Sequence, residues 1–298
     1  MPSSLCSRSH SKKSGSSSLL TDGNDCTSGE ASDFFTLDVA DFIGKPAGED
    51  DIRGFVARQK RLVRRMKIPR LTEEFDITEP VLVSIARKYL LAAREAGKIY
   101  RRIAGRRGEG TFVTEVSMDE TPDPQTPMEL LVILSALAEE KIPAQTVAPR
   151  FVGRFNKGVD YAGDVERFDR EFDQALAVVA FARSEFGLPA NLKLSVHSGS
   201  DKFSIYDRIR RALRKHDAGV HLKTAGTTWL EELTGLALAG GDGLDIAREV
   251  YAAAMSRFDE LCTPYATVIG IDRSKIPSSA AVASWDGRTF AGALAHDP

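Results

Sequence analysis

Two short alternating stretches each end on a histidine or a lysine. Leu-Lys-Leu-Ser-Val-His (192–197) ends on His197, and Val-His-Leu-Lys (220–223) carries His221 and Lys223. A two-residue period predicts strands. It sets Leu192, Leu194 and Val196 against Lys193, Ser195 and His197, and Val220 and Leu222 against His221 and Lys223. Both stretches run into small polar loops, Ser-Gly-Ser-Asp-Lys (198–202) and Thr-Ala-Gly-Thr-Thr (224–228). Such loops offer backbone N–H and hydroxyl donors before a helix start, which suits phosphate or carboxylate. Lys202 and Lys223 add positive charge beside them.

A third strand supplies acid. In Thr-Phe-Val-Thr-Glu-Val-Ser-Met-Asp (111–119), alternation turns Val116 and Met118 one way and Glu115, Ser117 and Asp119 the other, with Glu120 following. A carboxylate facing inward from mid-strand needs a partner, and Lys193 or Lys223 is the expected one. Two imidazoles and a carboxylate converging without thiolates suit a divalent cation such as Zn, Mn, Co or Ni. The competing reading is a pair of hydrogen-bonded structural histidines, with Asp119 merely opening a turn. His10 and His216 are expected at the surface, and Trp229 with the apolar stripes in the core.

The elements that must position these groups alternate. Strands are expected at 34–39, 111–118, 144–149, 192–197, 218–223 and 266–271. Between them lie a helix with Pro80 in its first turn, stopped by Gly105 and Gly108, and a helix from Pro127. The latter has Thr126 as N-cap and Glu129 completing a capping box. An amphipathic helix through Phe168, Phe172, Leu176 and Val179 ends at Gly187. A basic helix is expected over 205–215, and Thr228 with Glu231 forms a second capping box. A helix over about 244–261 and a weak one ending at His296 complete the chain. Strand and helix at crossover lengths predict an α/β fold with a parallel sheet, and polar groups at strand C-termini point to a TIM-like (β/α) barrel. A barrel needs eight strands, so six make it incomplete. The doubly wound rival lacks its Gly-X-Gly-X-X-Gly loop.

With 298 residues, a net charge of −2, and 42% hydrophobic against 28% charged residues, the chain is ordinary globular material. That charge argues against a protein built to bind nucleic acid electrostatically, and no apolar run is long enough for a membrane span. Cys6, Cys26 and Cys262 suggest neither a disulfide framework nor a zinc knuckle, so a reduced, cytoplasmic setting is expected. Residues 1–33, rich in Ser, Gly and Asp, are expected as a disordered tail, leaving 34–298 as the catalytic domain.

Segments 115–120, 157–164, 193–206, 221–232 and 264–269 together resemble the tagaturonate epimerase family, over about 34–298. Members are longer than this chain, so the resemblance implies a barrel truncated at its C-terminus. It also implies a metal-dependent enzyme that interconverts D-tagaturonate and D-fructuronate, a hexuronate keto acid being the small-molecule partner; a homo-oligomer is allowed. The two ketoses differ at a hydroxyl carbon beta to the ketone, where simple enolisation cannot invert the centre. Retro-aldol cleavage and re-addition can. On this expectation His197, His221 and one of Asp119 and Glu120 hold the metal, with Glu120 favoured. The other carboxylate is the base, and Lys223 assists. Lys157, Ser198, Ser200, Asp201, Lys202 and Thr224 grip the substrate carboxylate. His296 is a further ligand candidate. The alternatives are another metal-dependent aldolase or sugar isomerase, or an inactive sugar-acid-binding relic.

Overall fold

The computed structural model describes residues 18–20, 32–157, 159–224, 229–263 and 271–294. Its strands, in chain order, are β1 Ser18–Leu20, β2 Phe34–Asp38, β3 Arg64–Lys67, β4 Glu74–Ile77, β5 Val113–Ser117, β6 Thr146–Ala148, β7 Lys193–Gly199 and β8 Val220–Thr224. The helices are α1 Glu49–Arg58, α2 Glu79–Arg107, α3 Pro127–Glu139, α4 Val165–Phe186, α5 Phe203–His216, α6 Trp229–Ala239, α7 Gly241–Ser256, α8 Phe258–Cys262, α9 Ser279–Ala283 and α10 Gly287–Leu294. The fold is α/β. Six strands form one sheet in the order β1-β2-β5-β6-β7-β8, parallel from β1 through β7. This order is linear, and a closed barrel is not among the described pairings. All of the expected strand at 266–271 but Ile271, together with the Thr228 cap and His296, lies outside the described residues.

The chain divides into two units. The first comprises Met1–Arg154, Gly163–His197 and Ser204–Lys223. Its sheet has two unlike faces. Leu37, Val116, Val147 and Leu194 stand in register on one face, and all four are fully buried. Burying each such side chain contributes about 1.5–3 kcal/mol. The other face carries Thr36, Glu115 and Thr146 in direct register across β2, β5 and β6. Helix signals act where the sequence places them. The Thr126 hydroxyl accepts from the Glu129 backbone and the Glu129 carboxylate accepts from the Thr126 backbone, a complete capping box at α3. Gly187 adopts a left-handed conformation to end α4.

Three features depart from expectation. Within the expected tail, Ser18–Leu20 pair in parallel with β2, because a strand edge can satisfy a short segment through main-chain groups alone. α1 occupies the stretch after the Gly44–Pro46 breaker, opened by Glu49, Asp50 and Asp51 at the positive end of its dipole. β3 and β4 form an antiparallel hairpin in a highly charged segment.

The second unit comprises Phe155–Ala162, Ser198–Phe203 and Thr224–Pro298. Its core gathers Leu233, Ala237, Ala247, Val282, Phe290 and Ala291. Trp229, expected in the core, is 51% exposed: it is the first residue of α6, a turn before Leu233 reaches the core. No described helix is long and apolar enough to cross a membrane.

Candidate active site

Glu115 is the centre of the polar face. Its side chain is 0% exposed, and donors from four strands fill both oxygens. Thr36 on β2 donates its hydroxyl to Oε1 at 3.0 Å, and Thr146 on β6 donates to Oε2 at 3.1 Å. His197 on β7 donates from Nε2 to Oε1 at 3.0 Å, and His221 on β8 from Nδ1 to Oε2 at 3.1 Å. Lys223 Nζ stands 3.5 Å from Oε1 and donates to Thr36 Oγ1 at 3.1 Å. Of the two expected lysine partners of Glu115, Lys223 is the one in place. Lys193 lies exposed at the strand start, its stem packed over Gly219. Burial alone would raise the Glu115 carboxyl, but hydrogen bonds from His197 and His221 outweigh it and hold the group far below the usual carboxylate range.

His197 joins two acids. Its Nδ1 stands 3.0 Å from Asp119 Oδ2, and Asp119 Oδ1 accepts from the Ser117 hydroxyl at 2.6 Å. Burial disfavours the imidazolium, but the bonds to Asp119 and Glu115 prevail and raise His197 to about 9. Asp119 shows the converse: burial pushes it up, and the His197 bond prevails to lower it. His221 is backed by Ser195 Oγ, 3.2 Å from Nδ1, and by the Phe34 ring at 5.0 Å between centroids. The loop carrying Asp119 is tied down by Gln125, whose amide donates to Met118 O at 2.6 Å while its oxygen accepts from Arg150 N at 2.7 Å.

The favoured cation ligand Glu120 does not join this cluster. It is exposed and has no hydrogen bond to either histidine among the described residues. Partial desolvation of its carboxyl, whose residue is otherwise exposed, and the charges of Asp38, Asp119 and Asp41 raise it. Two imidazoles and two carboxylates are donors of the kind a borderline divalent cation takes. Among the described residues, however, no three His, Cys, Asp or Glu side chains stand in ligating geometry, and both nitrogens of His197 face carboxylates. To ligate, that ring would release one carboxylate and a proton.

The anion-gripping candidates belong to the second unit, where Lys202 has another task. It is fully buried, and its ammonium donates to the carbonyls of Asn156 at 3.0 Å, Val159 at 2.8 Å and Ser200 at 2.9 Å, and to Ser200 Oγ at 3.0 Å. Burial pushes it down to about 8, against Asp160 and Asp201. Its charge is spent on backbone, so it cannot grip a substrate as placed. Ser198 and Ser200 are also buried, whereas Lys157 and Thr224 are exposed. Gly199 takes a positive φ of 70°, and a Cβ there would meet Phe155 O at 3.1 Å. His216, expected at the surface, is buried with Nε2 2.9 Å from Asp173, because it falls on the apolar side of α5 with Ile205, Ile209 and Ala212. Sequence reasoning passed over Thr36, Thr146 and Gln125. Extending the alternation through Phe-Phe-Thr-Leu-Asp would have put Thr36 on the polar face.

Residues 34–287 match the family model for tagaturonate epimerase. The tagaturonate/fructuronate epimerase of Thermotoga maritima is 30% identical over 252 residues, 82% of this chain and 49% of that protein. A glycerol-complexed crystal structure of the fructuronate–tagaturonate epimerase of Cohnella laeviribosi superposes with a TM-score of 0.62 at 25% identity, covering 90% of this chain and 53% of that one. A native crystal structure of the same enzyme, at 22% identity and a TM-score of 0.61, supports the fold. The chain thus spans about half the length of these relatives. With the match running through Glu115, His197, His221 and Lys223, the chain belongs to the tagaturonate epimerase family.

Proposed function

We propose that this chain contributes the polar strand face of an enzyme that interconverts D-tagaturonate and D-fructuronate by retro-aldol cleavage and re-addition. The observation that carries this reading is the convergence of Asp119, His197, His221 and Lys223 around the fixed Glu115, in a chain of this family. In this reading the sheet is part of a (β/α) barrel wall, with its working groups toward the C-terminal strand ends.

The reaction needs three things from the protein. A base takes the proton of the beta hydroxyl, the adjacent carbon–carbon bond breaks, and an aldehyde and an enediolate result. The aldehyde turns, the same bond re-forms on its other face, and the new alkoxide takes the proton back. Asp119, kept as a carboxylate by His197, suits the base role. Lys223 supplies a cation beside the developing oxyanion. Glu115 is not a base here, because its oxygens are filled; it orients both imidazoles. A divalent cation held by His197, His221 and Glu120 would supply further positive charge for the enediolate oxygens. Lys157 and Thr224 keep a proposed role toward the substrate carboxylate.

The test is purification without chelator, measurement of bound Zn, Mn, Co and Ni, and assay of tagaturonate consumption. Fructuronate formation that is lost on chelation and restored by one of these ions is expected. Full activity in a metal-free preparation would remove the cation. Release of free three-carbon products would favour an aldolase, and no turnover with any of the four ions would overturn the epimerase reading.

A further inference from the structure

Thr36 sits at the middle of β2, fully buried, directly opposite Glu115 in the strand register. A hydroxyl has one proton to give and two lone pairs. Thr36 gives its proton to Glu115 Oε1 at 3.0 Å and takes one from Lys223 Nζ at 3.1 Å. The direct distance from Lys223 Nζ to Oε1 is 3.5 Å, longer than a strong charge-assisted bond. The ammonium therefore reaches the carboxylate chiefly through the Thr36 hydroxyl.

Both side chains favour this arrangement. Threonine is β-branched and stiff at χ1 in a strand, so its oxygen is a fixed point. Lysine has a long, flexible stem, and holding its end in one place costs rotamer entropy. A buried, immobile acceptor on a neighbouring strand offsets that cost. Thr146 provides a built-in comparison. It also stands opposite Glu115, on the other neighbouring strand, and also gives it a hydroxyl proton, but to Oε2.

We propose that Thr36 is a positioning residue for Lys223: its hydroxyl joins the ammonium to Glu115 and presents it in one orientation at the strand ends. Its catalytic consequence rests on the epimerase reading above; the positioning itself does not.

The experiment uses the full chain and three variants, Thr36→Val, Thr36→Ser and Thr146→Val. The two valine variants each remove one hydroxyl from Glu115 at nearly constant volume, so they share the same loss of carboxylate solvation and differ in the Lys223 link. Lys223 acylation by limiting acetic anhydride is followed by peptide mass spectrometry, and kcat and KM are followed on tagaturonate. Thr36→Val is expected to label Lys223 about threefold faster and to lower kcat about tenfold at little-changed KM. Thr36→Ser should restore both, and Thr146→Val should label at the unmodified rate. Equal Lys223 labelling in the two valine variants, or failure of serine to restore it, overturns the inference. If the unmodified chain shows no turnover, the epimerase reading fails by itself and the labelling arm still decides the role of Thr36.

Discussion

His197 Nε2 meets Glu115 Oε1 at 3.0 Å, and the carboxylate it meets is closed to solvent. A buried charge held by three cationic or imidazole partners and two hydroxyls is costly to leave half-made. Glu115→Ala would strand His197, His221 and Lys223 without their shared acceptor. The expected loss is about 3–5 kcal/mol in chemical denaturation, and less for Glu115→Gln, which keeps one acceptor oxygen. A loss below about 1 kcal/mol for the alanine variant would mean that Glu115 does not organise the face.

The proposed cation role of His197 and His221 is separable from that structural role by metal analysis. His197→Ala and His221→Ala are expected to lose bound divalent metal and at least about 100-fold in turnover. Metal analysis of each purified variant, beside its circular dichroism spectrum, checks this. Variants that fold and keep both metal and activity would remove the two histidines from the cation site.

Lys202 separates two roles by which quantity changes. As a tie between the 155–162 and 198–203 segments, its replacement by methionine leaves several carbonyls without a donor. The expected cost is about 2 kcal/mol or more, with faster proteolysis of those loops. A substrate-gripping lysine would instead leave stability unchanged and raise KM.

Asp173 predicts an acid-side response. Burial would raise its carboxyl, but hydrogen bonds from Lys215 and His216 prevail and lower it. A carboxyl whose folded value lies below its unfolded one adds stability above the unfolded value, and loses that stability as pH falls through the folded value. Asp173→Asn should therefore cost about 1 kcal/mol near pH 7, discounted for partial exposure. The gap should close below about pH 4. Thermal melts of both proteins from pH 7 to pH 3 measure it, and a gap that widens on acidification would refute the assignment.

Alternation in the sequence was enough to turn Glu115, His197, His221 and Lys223 toward one face, because a strand with one polar and one apolar side states its own orientation. Capping chemistry located α3, since Thr126 and Glu129 satisfy each other within four residues. The failures share a cause: they depend on neighbours distant in sequence. The β3–β4 hairpin carries Arg64, Arg65, Lys67, Glu74 and Asp76 outward, so few apolar residues advertise it. His216 sits on the buried side of α5, where helix phase rather than residue type decides exposure. Lys202 looks like a surface charge until the Asn156 and Val159 carbonyls fold over it. Glu120, one residue past Asp119, is exposed and carries no hydrogen bond to the histidines among the described residues, which its place in the sequence did not reveal.

The Thr36–Glu115–Thr146 row also has a consequence for how the chain folds. Glu115 lies 79 residues from Thr36, 31 from Thr146, 82 from His197 and 106 from His221. Slipping β5 by one position would drive this carboxylate into the layer of Leu37, Val147 and Leu194, and turn Val116 toward the histidines. The row works as a proofreading device for strand threading. Only the native alignment neutralises the charge, and it does so only once the last of these strands has docked.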